Sequence, residues 1–435
     1  MKVGFISLGC AKNQVNCEQM IWQTYEAGYE VALGAAGCDV AVVNTCGFLQ
    51  EAREEALAEI QKLVEQKQAG QLQKILVTGC MAQWWRDQLA QRCPQADGFV
   101  GVSGYENLPQ VIDQALRGEH PALFGDIDAP IPETDRVVCT SDYWAWLRIA
   151  EGCDNRCAYC IIPYARGAVR SLPVEQAAAQ ARDLAEAGYR ELVLTGIELS
   201  AYGRDLPERP GLAALIAQVC RAVPGMRVRL GSLEPRTVTE DFCAQLAGLP
   251  NLCPHFHLSL QSGCDATLAR MKRRYTTERY LESVELLRRH FDRPALTTDL
   301  IVGFPGETEG EFAQTLSFLQ TCAFAQMHIF PYSRRQGTPA AGMPGQIPNG
   351  EKARRAHQGA ELARAMEKSW LSSWMGQRVA VLFEEEKDGF WRGYTPQYIE
   401  VRGKGENLHN RVCPVTLTAV GEGVAFGVVT EEEAP

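Results

Sequence analysis

The sequence predicts an α/β protein in three parts: an N-terminal parallel α/β domain (residues 1–125), an open six-unit (βα) barrel with a helical extension (139–376), and a small C-terminal antiparallel β-barrel (377–435). Three observations predict it. Short apolar runs rich in β-branched residues alternate with amphipathic stretches of helical period as far as about residue 333. The alternation falls into a set of three and a set of six. From Gln377 the period becomes that of short strands separated by Gly and acidic turns.

In the first set, "VGFISLGC", "DVAVVNTCG" and "KILVTGC" are each followed by a helical stretch, which predicts parallel strands joined by crossover helices. These runs end in Cys10, Cys46 and Cys80, spaced 36 and 34 residues apart. Right-handed crossovers align the carboxyl ends of parallel strands along one edge, where ligand sites form. Three cysteines distant in sequence are therefore expected to converge. The plain alternative is three buried thiols, but exposed strand ends are poor places for inert core cysteines.

A Pro-rich stretch, "GDIDAPIPETDR" (125–136), reads as a linker. Beyond it come "WLRIAEG", "ELVLTGIELS", "RVRLGSLEP", "HFHLSLQSG", "TTDLIVGFPGE" and "MHIFPYS". Six βα units point to an open parallel barrel, since a complete one needs eight. Glu198, Ser232, Glu234, Gln261, Ser262 and Asp299 fall at strand carboxyl ends, the catalytic edge of such barrels. "GQIPNG" breaks the chain before a charged helical run over 351–376. In the tail, "RVAVLFEEE", "GYTPQYIEVRG", "NRVCPVTLTAV" and "GVAFGVV" read as the strands of the small barrel, and the chain closes on the acidic "TEEEAP".

The 435 residues contain no apolar run near the ~20 needed to span a membrane, and "MKVGFISLGC" lacks the features of a signal peptide. A cytoplasmic protein without membrane association is expected. Its sixteen cysteines would stay reduced there, which favours metal ligation or catalysis over disulfides. Cys38, Cys93, Cys220, Cys243, Cys322 and Cys413 lie in apolar or helical contexts and read as small core residues. The net charge of −10 excludes a chain that is basic throughout, although runs such as Lys272-Arg273-Arg274 and Arg334-Arg335 leave room for a local basic strip.

The densest chemistry is "EGCDNRCAYCIIP", which places Cys153, Cys157 and Cys160 within eight positions. Structural zinc usually takes four ligands, often two C-x-x-C pairs, and no second pair or histidine lies near Cys160. A redox C-x-x-C would leave Cys153 unexplained. A 4Fe-4S cluster fits better, because soft irons take thiolates and one tight loop supplies three corners. The fourth iron then stays open to an exogenous ligand.

This C-x-x-x-C-x-x-C after the first strand of a six-unit barrel resembles the radical S-adenosylmethionine (SAM) superfamily. Together with "SLGC", "VNTCG", "VTGC", "EGCDNRCAYCIIPYARG", "QSG" and "IVGFPGET", the whole chain resembles the methylthiotransferase family. The resemblance implies a radical SAM barrel followed by a TRAM domain, and two 4Fe-4S clusters. Cys153, Cys157 and Cys160 would hold the cluster whose open iron chelates SAM. Cys10, Cys46 and Cys80 would hold an auxiliary cluster that presents sulfur. All six cysteines would be catalytic. Tyr159 matches a position near the SAM adenine, and Glu198, Ser232, Glu234, Gln261, Arg274 and Asp299 are candidate SAM contacts. One SAM would methylate the sulfur, and a second would give the radical that takes hydrogen from an unactivated C–H bond.

Family members modify threonylcarbamoyladenosine or isopentenyladenosine in tRNA, or an aspartate in a small-subunit ribosomal protein. "LTGIELSAYGRDL", "HLSLQSGCDATLARMKRRYT", "HIFPYSRRQGTPAA" and "GYTPQYIEVRG" resemble the threonylcarbamoyladenosine branch, which implies a tRNA anticodon loop as partner. "SLGCAKNQVNCE" resembles the ribosomal-protein branch instead, and Glu198 and Ser200 stand where the tRNA branch usually has His and Gly. Cys17 replaces a usual Asp or Ser; it reads as an accessory thiol near the cluster or, better, a plain surface or helix thiol. The tail from Gln377 has six Lys or Arg and ten Asp or Glu, net −4, which suits a protein loop better than phosphates. Tyr394, Tyr398 and Trp391 are candidate stacking faces for unpaired bases, against a packing role inside the small barrel. An electron donor such as flavodoxin or ferredoxin and a sulfur donor are further implied partners. A non-catalytic metal-containing RNA-binding protein is the alternative of a different class.

Overall fold

The computed structural model describes residues 1–131 and 134–430, so Pro132 and Glu133 of the linker and the acidic end beyond Thr430 lie outside the described residues. The first 123 residues form one six-stranded parallel sheet. Its order in space is Glu30–Leu33, Lys2–Ser7, Val40–Thr45, Lys74–Gly79, Gly98–Val100 and Ala122–Leu123. The chain steps one way after Lys2–Ser7 and the other way from Val40–Thr45 onward, so a topological switch point lies between those two strands. The all-buried runs of Val40–Thr45 and the centre of Lys74–Gly79 reflect helices covering both faces. Two apolar clusters result, one per face.

The three outer strands escape sequence detection because they are four, three and two residues long. Such lengths carry no periodicity of their own.

The six longer runs of the middle segment are all parallel strands in chain order. They are Trp144–Glu151, Glu191–Gly196, Arg227–Leu230 continued by Ser232–Leu233, His255–Leu258, Ala295–Val302 and Gln326–Pro331. A two-residue strand, Arg170–Ser171, adds antiparallel to the first and caps the open side. The wall buries one large core of Leu, Val, Ile and Ala with Phe256, Phe312 and Phe324. The "GFPGET" segment has a local reason as well: Thr308 and Glu311 form a reciprocal capping box that starts the helix Glu309–Cys322.

The tail is a closed five-stranded barrel of Arg378–Lys387, Phe390–Tyr394, Glu400–Lys404, Ala425–Val429 and Arg411–Val420, in that spatial order. It is antiparallel apart from one ladder, Glu400–Lys404 with Ala425–Val429, which is parallel and closes the ring. The helix Asn349–Ser372 leads into it. Among the described residues no helix is long and apolar enough to cross a membrane.

The small barrel docks on the amino-terminal ends of the large barrel's strands. Arg227 donates to the carbonyls of Tyr394 and Ala380 at 2.9 and 3.0 Å. Arg229 donates to those of Pro396 and Thr395 at 2.8 and 3.2 Å while paired with the buried Glu191 at 2.6 Å. Tyr394 and Tyr398 stack on each other at 4.8 Å, and the Arg229 guanidinium lies 4.8 Å from the Tyr398 ring. These two rings lie at this docking surface, at the opposite end of the strands from the catalytic edge, with Tyr398 still 47% exposed. Trp391 packs on the small barrel's own core and donates Nε1 to the Gly405 carbonyl at 3.0 Å.

Candidate active site

Cys10, Cys46 and Cys80 follow the carboxyl ends of three neighbouring strands, beside the switch point. Two glycines make their approach possible. Gly9 sits at φ +117, and a Cβ there would stand 2.9 Å from the Cys46 Cβ. Gly79 sits at φ +96, where a Cβ would meet the Thr45 carbonyl oxygen at 2.4 Å. Neither space nor backbone conformation tolerates a side chain at these positions. Each glycine immediately precedes a cysteine.

Asn13 ties this edge together: its Nδ2 donates to the carbonyls of Thr45 and Leu8 at 2.9 and 3.2 Å, and its Oδ1 faces the Cys80 thiol at 3.4 Å. Cys10 is exposed, Cys46 half-buried and Cys80 buried, so the set opens toward solvent on one side. Burial raises the Cys46 thiol above its ordinary value and pushes Cys80 up to about 11, even with Arg166 beside it. At Cys10, surrounding protein atoms oppose ionisation even though the residue is exposed, but Lys12 and Arg166 outweigh them and bring its thiol below the ordinary value.

The second set lies on the loop after Trp144–Glu151. Cys160 N donates to the Cys157 carbonyl, a tight turn within the segment, and Cys153 N to the Gly167 carbonyl, which ties its start to the end of the helix that follows, both at 3.0 Å. The amides of Asn155 and Ile162 point at the sulfurs of Cys153 and Cys160, each at 3.4 Å. Arg273 donates to the Cys157 sulfur at 3.2 Å. Burial pushes Cys153 up to about 12 and Cys160 up to about 11.

Both donor sets have the chemistry a 4Fe-4S cluster takes: three soft thiol ligands each, with guanidinium donors aimed at the Cys80 and Cys157 sulfurs and backbone amides at those of Cys153 and Cys160. Among the described residues no three metal-binding side chains are gathered as a single-ion site. A cluster would be held by thiolates, so loading these buried thiols would release their protons to solvent.

Around the triplet, Glu198 accepts from Asn155 Nδ2 at 2.6 Å and from Ser200 N at 3.1 Å. Burial, then the neighbouring Glu234, raises the Glu198 carboxyl above its usual range. Glu234 is buried, its amide donates to the Ser200 hydroxyl at 2.7 Å, and its carboxylate lies 3.8 Å from Arg273. Asp299 lies 3.3 Å from His257 Nε2. The Gln261 backbone, at φ +69, bridges the strand of Asp299, donating to the Asp299 carbonyl and accepting from Ile301 N, both at 2.9 Å. Ser232 pairs with Ser259 at 3.0 Å. Tyr159 is buried with its ring edge-on to Phe304.

Two expected residues fall elsewhere. Arg274 is exposed and its neighbour Arg273 turns inward instead. Ser262 is fully buried and faces Thr315 of the helix outside the barrel. Cys17 is a helix thiol rather than a surface one, buried in the core beneath the sheet, where burial pushes it up to about 12. The six cysteines read as core residues are all buried.

The residues that sequence reasoning missed are arginines. Arg166, 1% exposed, reaches from the helix after the triplet to the Cys80 sulfur at 3.1 Å. Arg335 donates to the Phe48 carbonyl at 2.6 Å and the Tyr159 carbonyl at 2.7 Å, joining the loop after Cys46 to the loop of the triplet. The two cysteine sets are thus braced against each other from two sides. Beside Cys153 a cleft opens, bordered by Trp84, Tyr164, Arg86 and Arg156 together with Asp128 and Asp154. The Trp84 and Tyr164 rings are 5.2 Å apart, the Arg156 guanidinium is 5.4 Å from the Tyr164 ring, and Tyr164 is 38% exposed.

Residues 147–319 match the model of the radical SAM superfamily, and residues 2–101 match that of the uncharacterized protein family UPF0004. The chain is 34% identical over 433 residues to the ribosomal protein uS12 methylthiotransferase RimO of Lachnoclostridium phytofermentans, covering 97% of this chain and 98% of that protein. It is also 34% identical over 452 residues to the threonylcarbamoyladenosine tRNA methylthiotransferase MtaB of Bacillus subtilis, covering 99% and 96%. Among solved structures, the radical SAM methyltransferase TsrM of Kitasatospora setae shares the fold, with a TM-score of 0.60 at 13% identity over 78% of this chain and 77% of that one.

Proposed function

The chain belongs to the radical SAM methylthiotransferase family, an enzyme family that uses SAM and two 4Fe-4S clusters, and on that premise we propose that it converts threonylcarbamoyladenosine next to the tRNA anticodon into its 2-methylthio derivative. The observation that supports the substrate is the cleft beside Cys153, where Trp84 and exposed Tyr164 offer a base-stacking face with the guanidinium groups of Arg156 and Arg86 among its lining, beside Asp128 and Asp154. The barrel and tail motifs that resemble this branch support the same reading.

In this reading Cys153, Cys157 and Cys160 hold the SAM-binding cluster and Cys10, Cys46 and Cys80 the auxiliary one. When bound, the clusters and SAM would together supply the radical, the sulfur and the methyl group for replacing hydrogen at a carbon. The chain's own residues position and shield. Glu198, fixed by Asn155, offers a carboxylate beside Cys153 for the SAM amino group. Tyr159, buried against Phe304, is the residue proposed to pack by the SAM adenine, and Ser232, Gln261, Glu234 and Asp299, at the strand carboxyl ends, are the further proposed SAM contacts. Arg335 and Arg166 hold the two sets at one separation, which matters because a carbon radical must meet its sulfur source at near-contact distance. The cytoplasm supplies the tRNA, a low-potential donor such as flavodoxin or ferredoxin, and the sulfur.

A second reading, methylthiolation of an aspartate in ribosomal protein uS12, is favoured by the net −4 tail and by the RimO relatives. One assay separates the two. Reconstituted anaerobic enzyme is offered SAM, dithionite and either threonylcarbamoyladenosine-containing tRNA or ribosomal protein uS12. A 2-methylthio nucleoside in digested tRNA is the expected result; modification of the protein alone would reject the tRNA substrate.

A further inference from the structure

Arg166 occupies an electrostatic position that family membership does not explain. It is fully buried, and all three guanidinium nitrogens are engaged: Nη1 with Glu151 and Asn16 at 2.9 Å, Nη2 with Asn13, and Nε with the Cys80 sulfur at 3.1 Å. Glu151 is the one carboxylate of this network, and it is shared with a second buried arginine, Arg148, at 3.1 Å. Arg148 spends its remaining contacts on the neutral Gln19 and Tyr105. Two buried cations therefore meet one buried anion. Excess positive charge in a low-dielectric site is costly unless matched, and the group next to Arg166 that can match it is the Cys80 sulfur. Arg166 also belongs to the segment that follows Cys160, six positions on, so the loop of one cysteine set carries the cation for the other.

We propose that Arg166 is a positioning residue that sets the reduction potential of the auxiliary cluster, raising it through its hydrogen bond to Cys80. The inference rests on the two-cluster reading. Adding one electron makes the cluster more negative, and a fixed guanidinium beside a ligand sulfur stabilises that reduced form; hydrogen bonds to sulfur are a recognised control of such potentials. The proton stays on the guanidinium throughout. Glu151 opposes the effect, because its carboxylate partly neutralises the same cation.

The test is an EPR-monitored titration of the reconstituted holoenzyme with dithionite, with and without SAM. SAM perturbs the signal of the triplet's cluster and so identifies the other. In R166Q the auxiliary midpoint moves down; in R166K it moves down less; in E151Q it moves up. The SAM-responsive midpoint stays in place in all three. A merely structural role would not give shifts of opposite sign from the two partners of one ion pair. If R166Q loses auxiliary iron, R166K and E151Q decide. Unchanged auxiliary midpoints in iron-loaded variants, or shifts of the same sign in R166K and E151Q, overturn the proposal. A wild-type protein with no second signal would instead reject the two-cluster reading on which it stands.

Discussion

Arg335 and Phe48 lock the N-terminal sheet to the barrel: the guanidinium lies 4.1 Å from the Phe48 ring, and its Nε donates to the Phe48 carbonyl at 2.6 Å. Since Nη1 of the same group holds the Tyr159 carbonyl, one side chain fixes both cysteine loops. Replacing it should shift one set against the other without removing a ligand. R335Q is expected to keep releasing 5′-deoxyadenosine while methylthiolated product falls roughly 10- to 100-fold, the scale of a misplacement near 1 Å. The measured ratio of the two products checks this, and parallel losses would assign Arg335 to SAM cleavage instead.

Glu198 is held beside the triplet by Asn155, a residue of the cysteine loop itself. E198Q keeps the shape and removes the charge offered to the SAM amino group. SAM affinity, read by anaerobic calorimetry on cluster-loaded protein, should weaken about tenfold, the scale of a lost charge-assisted hydrogen bond. An unchanged affinity would remove Glu198 from the SAM site.

These residues show what was legible in the sequence and what was not. The strand-ending positions of Cys10, Cys46 and Cys80 and the spacing of Cys153, Cys157 and Cys160 were readable because strand period and short-range spacing are local properties. The six barrel strands were readable for the same reason. Arg166, Arg273 and Arg335 were not, because an arginine's role depends on which buried sulfur or carbonyl it meets. Arg273 turns inward and Arg274 outward, a one-residue difference in direction just past the helix Asp265–Arg270 that no sequence period shows. Tyr394 and Tyr398 looked like base platforms because a sequence cannot tell which end of a barrel a docked domain will cover.

Docking of the tail depends on Arg229. R229A leaves Glu191 buried without its closest cation and removes the bonds to Thr395 and Pro396. Breaking such a buried pair costs about 3–5 kcal/mol. Calorimetry should show a lower first unfolding transition, and limited proteolysis should cleave faster near residues 373–377. A wild-type cleavage rate would show that the docking does not rest on this contact.

Glu384 gives the small barrel a pH dependence. Burial pushes its carboxyl up to about 7, against the opposing pull of Arg392 at 3.7 Å. The folded state therefore holds a proton that the unfolded chain gives up near pH 4.5. Stability linked to this group is complete below that value and is lost as pH rises through about 7. E384Q should stabilise the protein at pH 8 by about 1–3 kcal/mol and have little effect at pH 4.5. An equal gain at both values would contradict the assignment.

The central claim is that two separate cysteine sets hold two clusters. It is tested most directly by iron analysis of anaerobically reconstituted protein in which Cys10, Cys46 and Cys80 are all changed to Ala, beside a variant with Cys153, Cys157 and Cys160 changed. Each variant should bind about half the wild-type iron, and only the first should keep a SAM-responsive EPR signal. Wild-type iron in the variant lacking Cys10, Cys46 and Cys80 would contradict the two-cluster account.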